Sequence, residues 1–245
     1  MSETAPSTPA LPPLYHGFEA VTAERHGQLR LKDVGYGFAS RISAIPLAAE
    51  EFVVAARTLP IVFAAQPPHM PVAITGLASG VNLHVTPEGT WRAGIYVPAY
   101  VRRYPFFLLR VAEGSDDLAL CVDPQAAQLV KVGGAEMFTE EGKPAPQLER
   151  AFAFTRAVEE AMLKTRTMAQ GLAELGLLRP SEVTFDQGGR PVRVDGFFAV
   201  ERPALAALPA EKLAELRDRG WLEAVYAHLL SIGGLPELAR ELPAA

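Results

Sequence analysis

Residues 148–175 carry an amphipathic pattern with helical spacing, and this pattern constrains the fold more than any other feature of the chain. Charged and amide side chains fall mainly on the opposite face, and Gly176 followed by Pro180 is a typical helix end. A helix of this length must bury its apolar face against another layer of structure. The positions of that face are Phe154, Val158, Ala161, Met162, Thr165, Met168, Ala169, Leu172 and Leu175.

Short strand-like segments in the first half of the chain would supply that layer. Residues 60–64 and 72–77 are short, apolar and rich in β-branched side chains, and residues 106–111 and 118–122 are apolar runs of similar length. A further β segment is predicted over residues 191–199. Helices are predicted over residues 46–57, 210–217 and 221–232.

A hairpin is predicted between these strands. Residues 82–86 alternate, so Leu83 and Val85 would face the core while Asn82 and His84 face outwards. Residues 86–90 contain the proline and glycine that favour a tight turn.

The order of elements predicts an α+β fold, with an antiparallel sheet from the N-terminal half packed by the long helix and by C-terminal helices. The Pro-, Ser- and Thr-rich segment 1–13 is predicted to be a disordered tail. Residues 14–245 are predicted to form one domain, strand-rich over 14–145 and helix-rich over 146–245. The predicted buried residues are Phe63, Leu77, Leu83, Val97, Phe106, Leu120, Val158, Met162, Leu172, Val225 and Leu229.

Composition disfavours several classes of protein. The net charge is −5, from 23 Lys and Arg against 28 Asp and Glu, which disfavours a nucleic-acid binder. No apolar run is long enough to span a bilayer, and the N-terminus lacks the pattern of a secretory signal, so a soluble, cytoplasmic protein is expected. The single cysteine, Cys121, excludes an internal disulfide.

The run 96–107 is the strongest candidate for a binding site. It combines two adjacent arginines with tyrosines, prolines and phenylalanines, and no acidic residue lies between Glu88 and Glu113. An arginine guanidinium suits bidentate binding of a carboxylate or a phosphate, and tyrosines can stack on an organic group. The candidate ligand-binding residues of this run are Tyr96, Tyr100, Arg102, Arg103 and Tyr104.

A structural interpretation of the same run remains open. Val97, Val101 and Phe106 would then lie in the core, and the arginines would pair with acids of the long helix. If the run is a strand, Arg102 and Arg103 point to opposite faces, so at most one of them lines a given pocket.

Asn82, His84 and Trp91 form a second candidate group, in which Asn82 and His84 would face a ligand. The alternative is that His84 is simply solvated or hydrogen-bonded on an exposed strand face. The spacing of histidine, cysteine and acidic residues fits no metal site, and no cofactor is predicted.

Sequence motifs for catalysis or phosphate binding are absent, since the chain has neither Gly-x-Ser-x-Gly nor a glycine-rich phosphate loop. Cys121 lies in an apolar strand, where a buried and inert thiol is expected. Asp123 follows that strand and is either a site acid or part of an ordinary Asp-Pro turn.

An ordered set of short motifs covers nearly all of the chain after the N-terminal tail. The motifs are Pro60-Ile-Val-Phe63, Gly76-Leu77, Asn82-Leu83, Gly89-x-Trp91, Tyr96-x-Pro98, Arg102-Arg-Tyr-Pro-Phe106, Cys121-Val-Asp123, Met137-Phe138 with Gly142, Leu177-Leu178-x-Pro180, Gly196, and Gly220-Trp-Leu-x-x-Val-Tyr-Ala-His-Leu-Leu-Ser231. Through this set the chain resembles the SapC-like family of bacterial proteins.

The resemblance implies a link to other systems rather than a reaction. The family takes its name from an association with bacterial surface layers. Its members are often encoded near flavin-dependent tryptophan halogenase-like proteins, cupin-like oxygenases and TonB-dependent receptors. A peptide-transporter permease of the same name is a different protein. A permease needs several membrane spans, and no apolar run of this sequence is long enough for one.

These observations favour a non-catalytic binding or accessory protein for a small anionic or aromatic ligand, or for a partner protein. Such a protein would serve a neighbouring halogenase, oxygenase or receptor system. One alternative is an enzyme with dispersed residues, in which Arg102 or Arg103 clamps an anion and His84 or Asp123 acts as acid or base. Another alternative is a protein associated with the surface layer.

Overall fold

The structure is a computed structural model that describes residues 11–111, 117–187 and 190–240. Its contacts divide the chain into two compact units. Unit 1 comprises Met1–Asp33 and Tyr104–Arg150, and unit 2 comprises Val34–Arg103 and Ala151–Ala245. Residues 1–10 of the predicted disordered tail lie outside the described residues. A single domain over 14–245 stays a prediction, which one cooperative unfolding transition would support.

The described strands pair in antiparallel ladders only. Their bounds are β1 Glu19–Ala20, β2 Arg30–Leu31, β3 Ala44–Pro46, β4 Ile61–Ala64, β5 Pro71–Ile74, β6 Phe106–Arg110, β7 Leu118–Val122, β8 Leu129–Val130, β9 Ala135–Glu136, β10 Leu178–Gln187 and β11 Arg190–Val200.

The α-helices are mostly short, and one of them is much longer than the rest. Three single 3₁₀ turns lie at Gly37–Ala39, Ala49–Glu51 and Ile232–Gly234. The α-helices are α1 Ala23–His26, α2 Phe52–Ala55, α3 Ala99–Arg102, α4 Pro146–Glu174, α5 Arg202–Ala206, α6 Ala210–Asp218, α7 Trp221–Ser231 and α8 Leu235–Arg240.

Unit 1 contains two small sheets, with strand orders β1-β7-β6 and β8-β2-β9. An aromatic cluster joins the N-terminal segment of this unit to β6. The ring centroids of Tyr15 and Phe107 lie 5.1 Å apart, those of Phe18 and Phe107 lie 4.9 Å apart, and the Tyr15 hydroxyl donates to the carbonyl of Phe106 at 2.7 Å.

Unit 2 contains a five-stranded sheet with the order β10-β11-β4-β5-β3. Its main core includes residues of β4 together with the apolar face of α4 and with α7. His228 of α7 binds this sheet directly. Its Nδ1 lies 2.8 Å from the carbonyl of Ile61, and its Nε2 accepts from the N–H of Val200 at 3.0 Å. The helix α7 is thereby attached to both β4 and β11.

The predicted α+β class, with antiparallel sheets and a long helix, is confirmed. The helix predicted over 148–175 is α4, and its predicted apolar face is buried or half-buried along its length. Six of the eleven predicted core residues are buried. The other five are half-buried, because periodicity identifies the inner face but not how far its neighbours cover each position; they are Leu77, Leu83, Val97, Leu120 and Met162.

Two predicted elements have different bounds. The helix predicted over 46–57 is only α2 and the preceding 3₁₀ turn, because the Glu51 carboxylate accepts the N–H of Ala48 at 3.0 Å and the turn therefore starts at Ala49. The strand β10 was not predicted, because its half-buried positions alternate with exposed ones and no continuous apolar run marks it.

Candidate functional site

The segment 82–86 is not a strand, which corrects the predicted hairpin. Only an isolated bridge pairs Val85 with Trp91, and the predicted faces are reversed. Asn82 and His84 are 5% and 4% exposed, while Leu83 is half-buried. The reason is a local network, since Asn82 donates from Nδ2 to the carbonyl of Ala39 at 3.0 Å and accepts the N–H of His84 at 2.9 Å. The exposed strand face predicted for His84 is therefore wrong, while its backbone N–H is hydrogen-bonded.

Trp91 packs beside the same group. It is 6% exposed, and its ring centroid lies 5.7 Å from that of Tyr36 and 6.3 Å from that of His84. Its indole N–H has no hydrogen-bond acceptor among the described residues. The structure thus brings Asn82, His84 and Trp91 together, as one mostly buried group.

The run 96–107 is not one strand, because α3 occupies its centre and β6 begins at Phe106. The N–H groups of Val101 and Arg102 donate to the carbonyl of Pro98, at 2.9 and 3.1 Å. The N–H of Ala99 donates to the carboxylate of Glu51 at 2.7 Å. A buried acid distant in sequence therefore stabilises the first turn of α3.

Arg103 is an internal residue. It is 4% exposed, its Nη1 forms an ion pair with the carboxylate of Glu159 on α4, and its guanidinium lies 4.5 Å from the ring centroid of Tyr100. Burial raises the pKa of Tyr100 to about 12; the charge of Glu159 adds to this, and Arg103 opposes it. The predicted pairing of an arginine with an acid of the long helix is confirmed for Arg103.

Arg102 has the opposite environment, although it is the neighbouring residue. It is exposed, its Nε donates to the carbonyl of Val97 at 3.1 Å, and its Nη2 donates to the hydroxyl of Tyr96 at 3.2 Å. Its guanidinium lies 5.2 Å from the ring centroid of Phe154 and 5.9 Å from that of Tyr96. Among the described residues, no acid pairs with it. We call Tyr96, Arg102 and Phe154 the Arg102 site.

Glu51 connects the Arg102 site to the interior of unit 2. It is 8% exposed and accepts the Tyr96 hydroxyl at 2.9 Å, in addition to the N–H groups of Ala48 and Ala99. Burial and the charge of Glu51 raise the pKa of Tyr96 to about 12, against the opposing charge of Arg102. The Tyr96 hydroxyl therefore stays protonated at neutral pH. It accepts a hydrogen bond from Arg102 and donates one to Glu51, and so links these two residues. The sequence pattern did not identify Glu51 or Phe154 as site residues.

Tyr104 belongs to unit 1, unlike the other candidates in the run. Its hydroxyl donates to the Asp123 carboxylate at 3.1 Å, and burial raises its pKa further than that of Tyr96. Asp123 is fully buried and also accepts the N–H groups of His16 and Gln125 and the His16 imidazole. Burial raises the pKa of Asp123, but these hydrogen bonds outweigh burial and hold it below its usual value.

The enzyme alternative named His84 or Asp123 as the acid or base. His84 belongs to unit 2 and Asp123 to unit 1, and the imidazole that contacts Asp123 is that of His16, at 3.0 Å. Cys121 is 5% exposed, as expected for an inert thiol, and burial raises its pKa.

A cavity of about 310 Å³ in unit 2 contains one predicted site residue, His84. The other residues that line it are Ala56, Arg57, Thr58, Leu59, Pro60, Ile95, Leu230, Ser231, Gly233, Gly234, Glu237 and Leu238. Arg57 and Glu237 line it from distant parts of the chain, so no local motif could have revealed it. We call it the His84 cavity.

Membrane-spanning helices and metal-binding clusters are both absent from the described part of the chain. Across residues 11–111, 117–187 and 190–240, each helix is too short or too polar to cross a membrane. Within the same ranges, no group of three or more histidine, cysteine or acidic side chains could hold a metal ion.

Comparison with known proteins gives a family but no individual relative. No curated protein and no solved structure matches the chain. A family model described as SapC matches residues 21–238. Because this match covers most of the sequence, the chain belongs to the SapC family.

Proposed function

We propose that this chain is a binding protein that holds a small anionic, aromatic ligand at the Arg102 site. The observation that carries the proposal is the environment of Arg102, an exposed guanidinium that lies 5.9 Å and 5.2 Å from two ring centroids and has no acid paired with it among the described residues. An accessory role for a neighbouring halogenase, oxygenase or receptor system is the biological setting that the SapC-like resemblance suggests.

The hydrogen-bond capacity of Arg102 fits an anion. A guanidinium has five N–H donors, and Val97 and Tyr96 accept one each. The remaining donors suit bidentate binding of a carboxylate or phosphate. The two contacts within the protein fix the plane of the guanidinium, which lowers the entropy cost of binding.

The rings of Tyr96 and Phe154 add an aromatic preference. Both residues are half-buried, so each keeps some exposed surface that a ligand could contact. Stacking on such rings contributes roughly 0.5–1.5 kcal/mol beyond the burial of area. A ligand with a benzene ring and an anionic group would use both parts of the site.

The site supports binding better than catalysis. The polar groups that contact Arg102 are the Val97 carbonyl and the Tyr96 hydroxyl. Neither is a base or a nucleophile at neutral pH, since the pKa of Tyr96 is about 12.

The proposal is tested by ¹H–¹⁵N NMR titration with phenyl phosphate, inorganic phosphate and benzylamine. Phenyl phosphate is expected to shift the amide signals of α3 and Phe154 with a dissociation constant on the order of 1 mM. Inorganic phosphate should bind several-fold more weakly because it lacks the ring, and benzylamine should cause no shifts in this region because it is a cation.

Arg102→Ala is the decisive variant, and Arg41→Ala is its matched control. Arg41 is also an exposed arginine of unit 2, but it has no ring contact in the described structure. Arg102→Ala should abolish the phenyl phosphate shifts, while Arg41→Ala should retain them. The proposal would be rejected if phenyl phosphate bound equally to the wild-type protein and to both variants, or if it caused no saturable shifts at α3.

A further inference from the structure

We propose that the His84 cavity is a second site, which binds a small zwitterion with an ammonium and a carboxylate group, such as an α-amino acid. The cavity volume of about 310 Å³ lies at the lower end of the range for small-molecule sites, roughly 300–1,000 Å³. A free amino acid or a ligand of similar size would fit it.

Two opposite charges on the same cavity carry the proposal. Arg57 and Glu237 are both exposed, and both line the cavity. Among the described residues, neither takes part in an ion pair, and they do not pair with each other. A ligand carboxylate would satisfy Arg57 and a ligand ammonium would satisfy Glu237.

Some other surface charges of unit 2 do form ion pairs with each other. Lys164 pairs with Glu50 at 3.1 Å, and Lys212 pairs with Glu215 at 3.0 Å, where the fold places opposite charges side by side. In the described structure, no ion pair joins the two charges that line the cavity, so both are available to a molecule that carries the two complementary charges.

The uncharged lining indicates the rest of the ligand. Leu59 and Leu238 are 1% and 5% exposed, and with Ile95 they give the cavity an aliphatic wall. The Thr58 hydroxyl accepts the N–H of Tyr96 at 3.1 Å, and its own proton has no acceptor among the described residues. A hydrophobic side chain would contact the wall, and Thr58 could donate to the ligand carboxylate.

Ser231 also lines the cavity, but its hydroxyl is already used. It accepts the N–H of Ile61 at 2.9 Å and donates to the carbonyl of His228 at 2.7 Å. Ser231 therefore has a structural role in the lining of the cavity. Selectivity for the two charged groups of the ligand depends on Arg57 and Glu237.

This site is independent of the proposed Arg102 site in its charges, although the two are linked by the chain. Ile95 lines the cavity, and the next residue, Tyr96, belongs to the Arg102 site. Because the two sites use different charged residues, a failure to bind phenyl phosphate would leave the cavity proposal standing. A failure to bind the zwitterion would likewise leave the Arg102 proposal standing.

The test is an NMR titration with the common L-amino acids, followed by three matched probes. L-leucine carries both charges, 4-methylpentanoate lacks the ammonium, and 3-methylbutylamine lacks the carboxylate. L-leucine is expected to shift the amide signals of residues 56–59 and of Gly233 and Gly234, with at least tenfold higher affinity than either analogue. Shifts by none of the amino acids, or equal affinity for the three probes, would overturn the proposal.

Two charge-removing variants test the assigned roles. Arg57→Gln should weaken L-leucine binding about tenfold and leave 3-methylbutylamine binding unchanged. Glu237→Gln should weaken L-leucine to a similar extent and leave 4-methylpentanoate binding unchanged. Arg41→Gln and Glu223→Gln, which change exposed residues outside the cavity, are the controls. A loss equal to that of the controls would show that Arg57 and Glu237 do not bind the ligand.

Discussion

The interior and the surface of unit 2 use their polar side chains in opposite ways. In the interior, Glu51 accepts backbone N–H groups, Arg103 pairs with Glu159, and His228 joins α7 to two strands. At the surface, no acid pairs with Arg102 among the described residues, and its guanidinium contacts the rings of Tyr96 and Phe154.

The contrast follows from the cost of burying charge. A buried charge is tolerated only with partners, so the fold uses the hydrogen-bonding capacity of its interior groups itself. An exposed arginine stays hydrated and needs no partner within the protein, so it can bind a ligand. Arg102 and Arg103 are neighbours in sequence, yet they fall on opposite sides of this division.

Replacement of Glu51 should have the largest effect on the stability of the protein. Glu51→Ala would leave the N–H groups of Ala48 and Ala99 buried without their acceptor. At roughly 1–3 kcal/mol for each orphaned group, the free energy of unfolding should fall by about 4 kcal/mol. Urea unfolding measures this loss of stability. Glu50→Ala is the control, because Glu50 is exposed and its replacement should cost only about 0.5 kcal/mol. Similar losses for both variants would contradict the contrast.

His228 should make the interior sensitive to acid. Burial lowers its pKa to about 4, with a smaller contribution from Arg202, and its Nε2 must remain an acceptor for Val200. Because the unfolded state binds the proton first, stability is full above pH 6.5 and is lost as the pH falls towards 4. The loss should reach about 3 kcal/mol.

Urea unfolding between pH 7 and pH 4 measures this loss. His228→Gln should lower stability at pH 7 but remove most of the pH dependence in that window. Asp123 affects stability in a separate pH window, because its pKa is lowered in the folded protein. Its contribution to the free energy of unfolding is present above pH 3.8 and is lost as the pH falls below that value. An unchanged pH profile in His228→Gln would show that another group titrates.

Arg103→Ala should have the next largest effect. It leaves Glu159 without its cation and removes the guanidinium from the ring of Tyr100. Because the Glu159 side chain is 27% exposed, the expected loss is about 2 kcal/mol, below the 3–5 kcal/mol for fully buried pairs. Thermal and urea unfolding would measure it, and Arg156→Ala is the control, since its pair with Glu160 is exposed. Equal effects of the two variants would contradict the internal role of Arg103.

Tyr96 links the two regions, so its variant should affect both by a small amount. Tyr96→Phe removes the hydroxyl between Arg102 and Glu51 but keeps the ring. Stability should fall by about 1 kcal/mol, and phenyl phosphate should bind a few-fold more weakly because Arg102 is less well oriented. The absorbance change of a tyrosinate near pH 12 should also decrease. Unchanged stability together with unchanged affinity would break the proposed link.

The sequence predicted the elements whose pattern is long or strongly apolar. The helix α4 repeats the same face over many turns, and β7 coincides with its predicted bounds of 118–122. Short segments were less predictable, because four or five residues fit several conformations. The start of α3 depends on Glu51, and the burial of Asn82 depends on the carbonyl of Ala39, which are both far away in sequence.

The candidate sites show the same limit. The run 96–107 drew attention to Arg102 because its arginines and rings are adjacent in sequence. The pattern could not separate the role of Arg102 from that of Arg103, since Phe154 and Glu159 come from α4. Arg57 and Glu237 have no shared local motif, and only the fold places them on one cavity.

The most direct test measures urea stability and phenyl phosphate affinity together in Arg102→Lys and Arg103→Lys. Lysine keeps the charge but lacks the planar fork of arginine. Arg102→Lys should keep wild-type stability within about 0.5 kcal/mol and lose several-fold in affinity. Arg103→Lys should lose about 1–2 kcal/mol of stability and, where folded, keep wild-type affinity. The reverse pattern, with stability lost in Arg102→Lys and affinity lost in Arg103→Lys, would contradict the account.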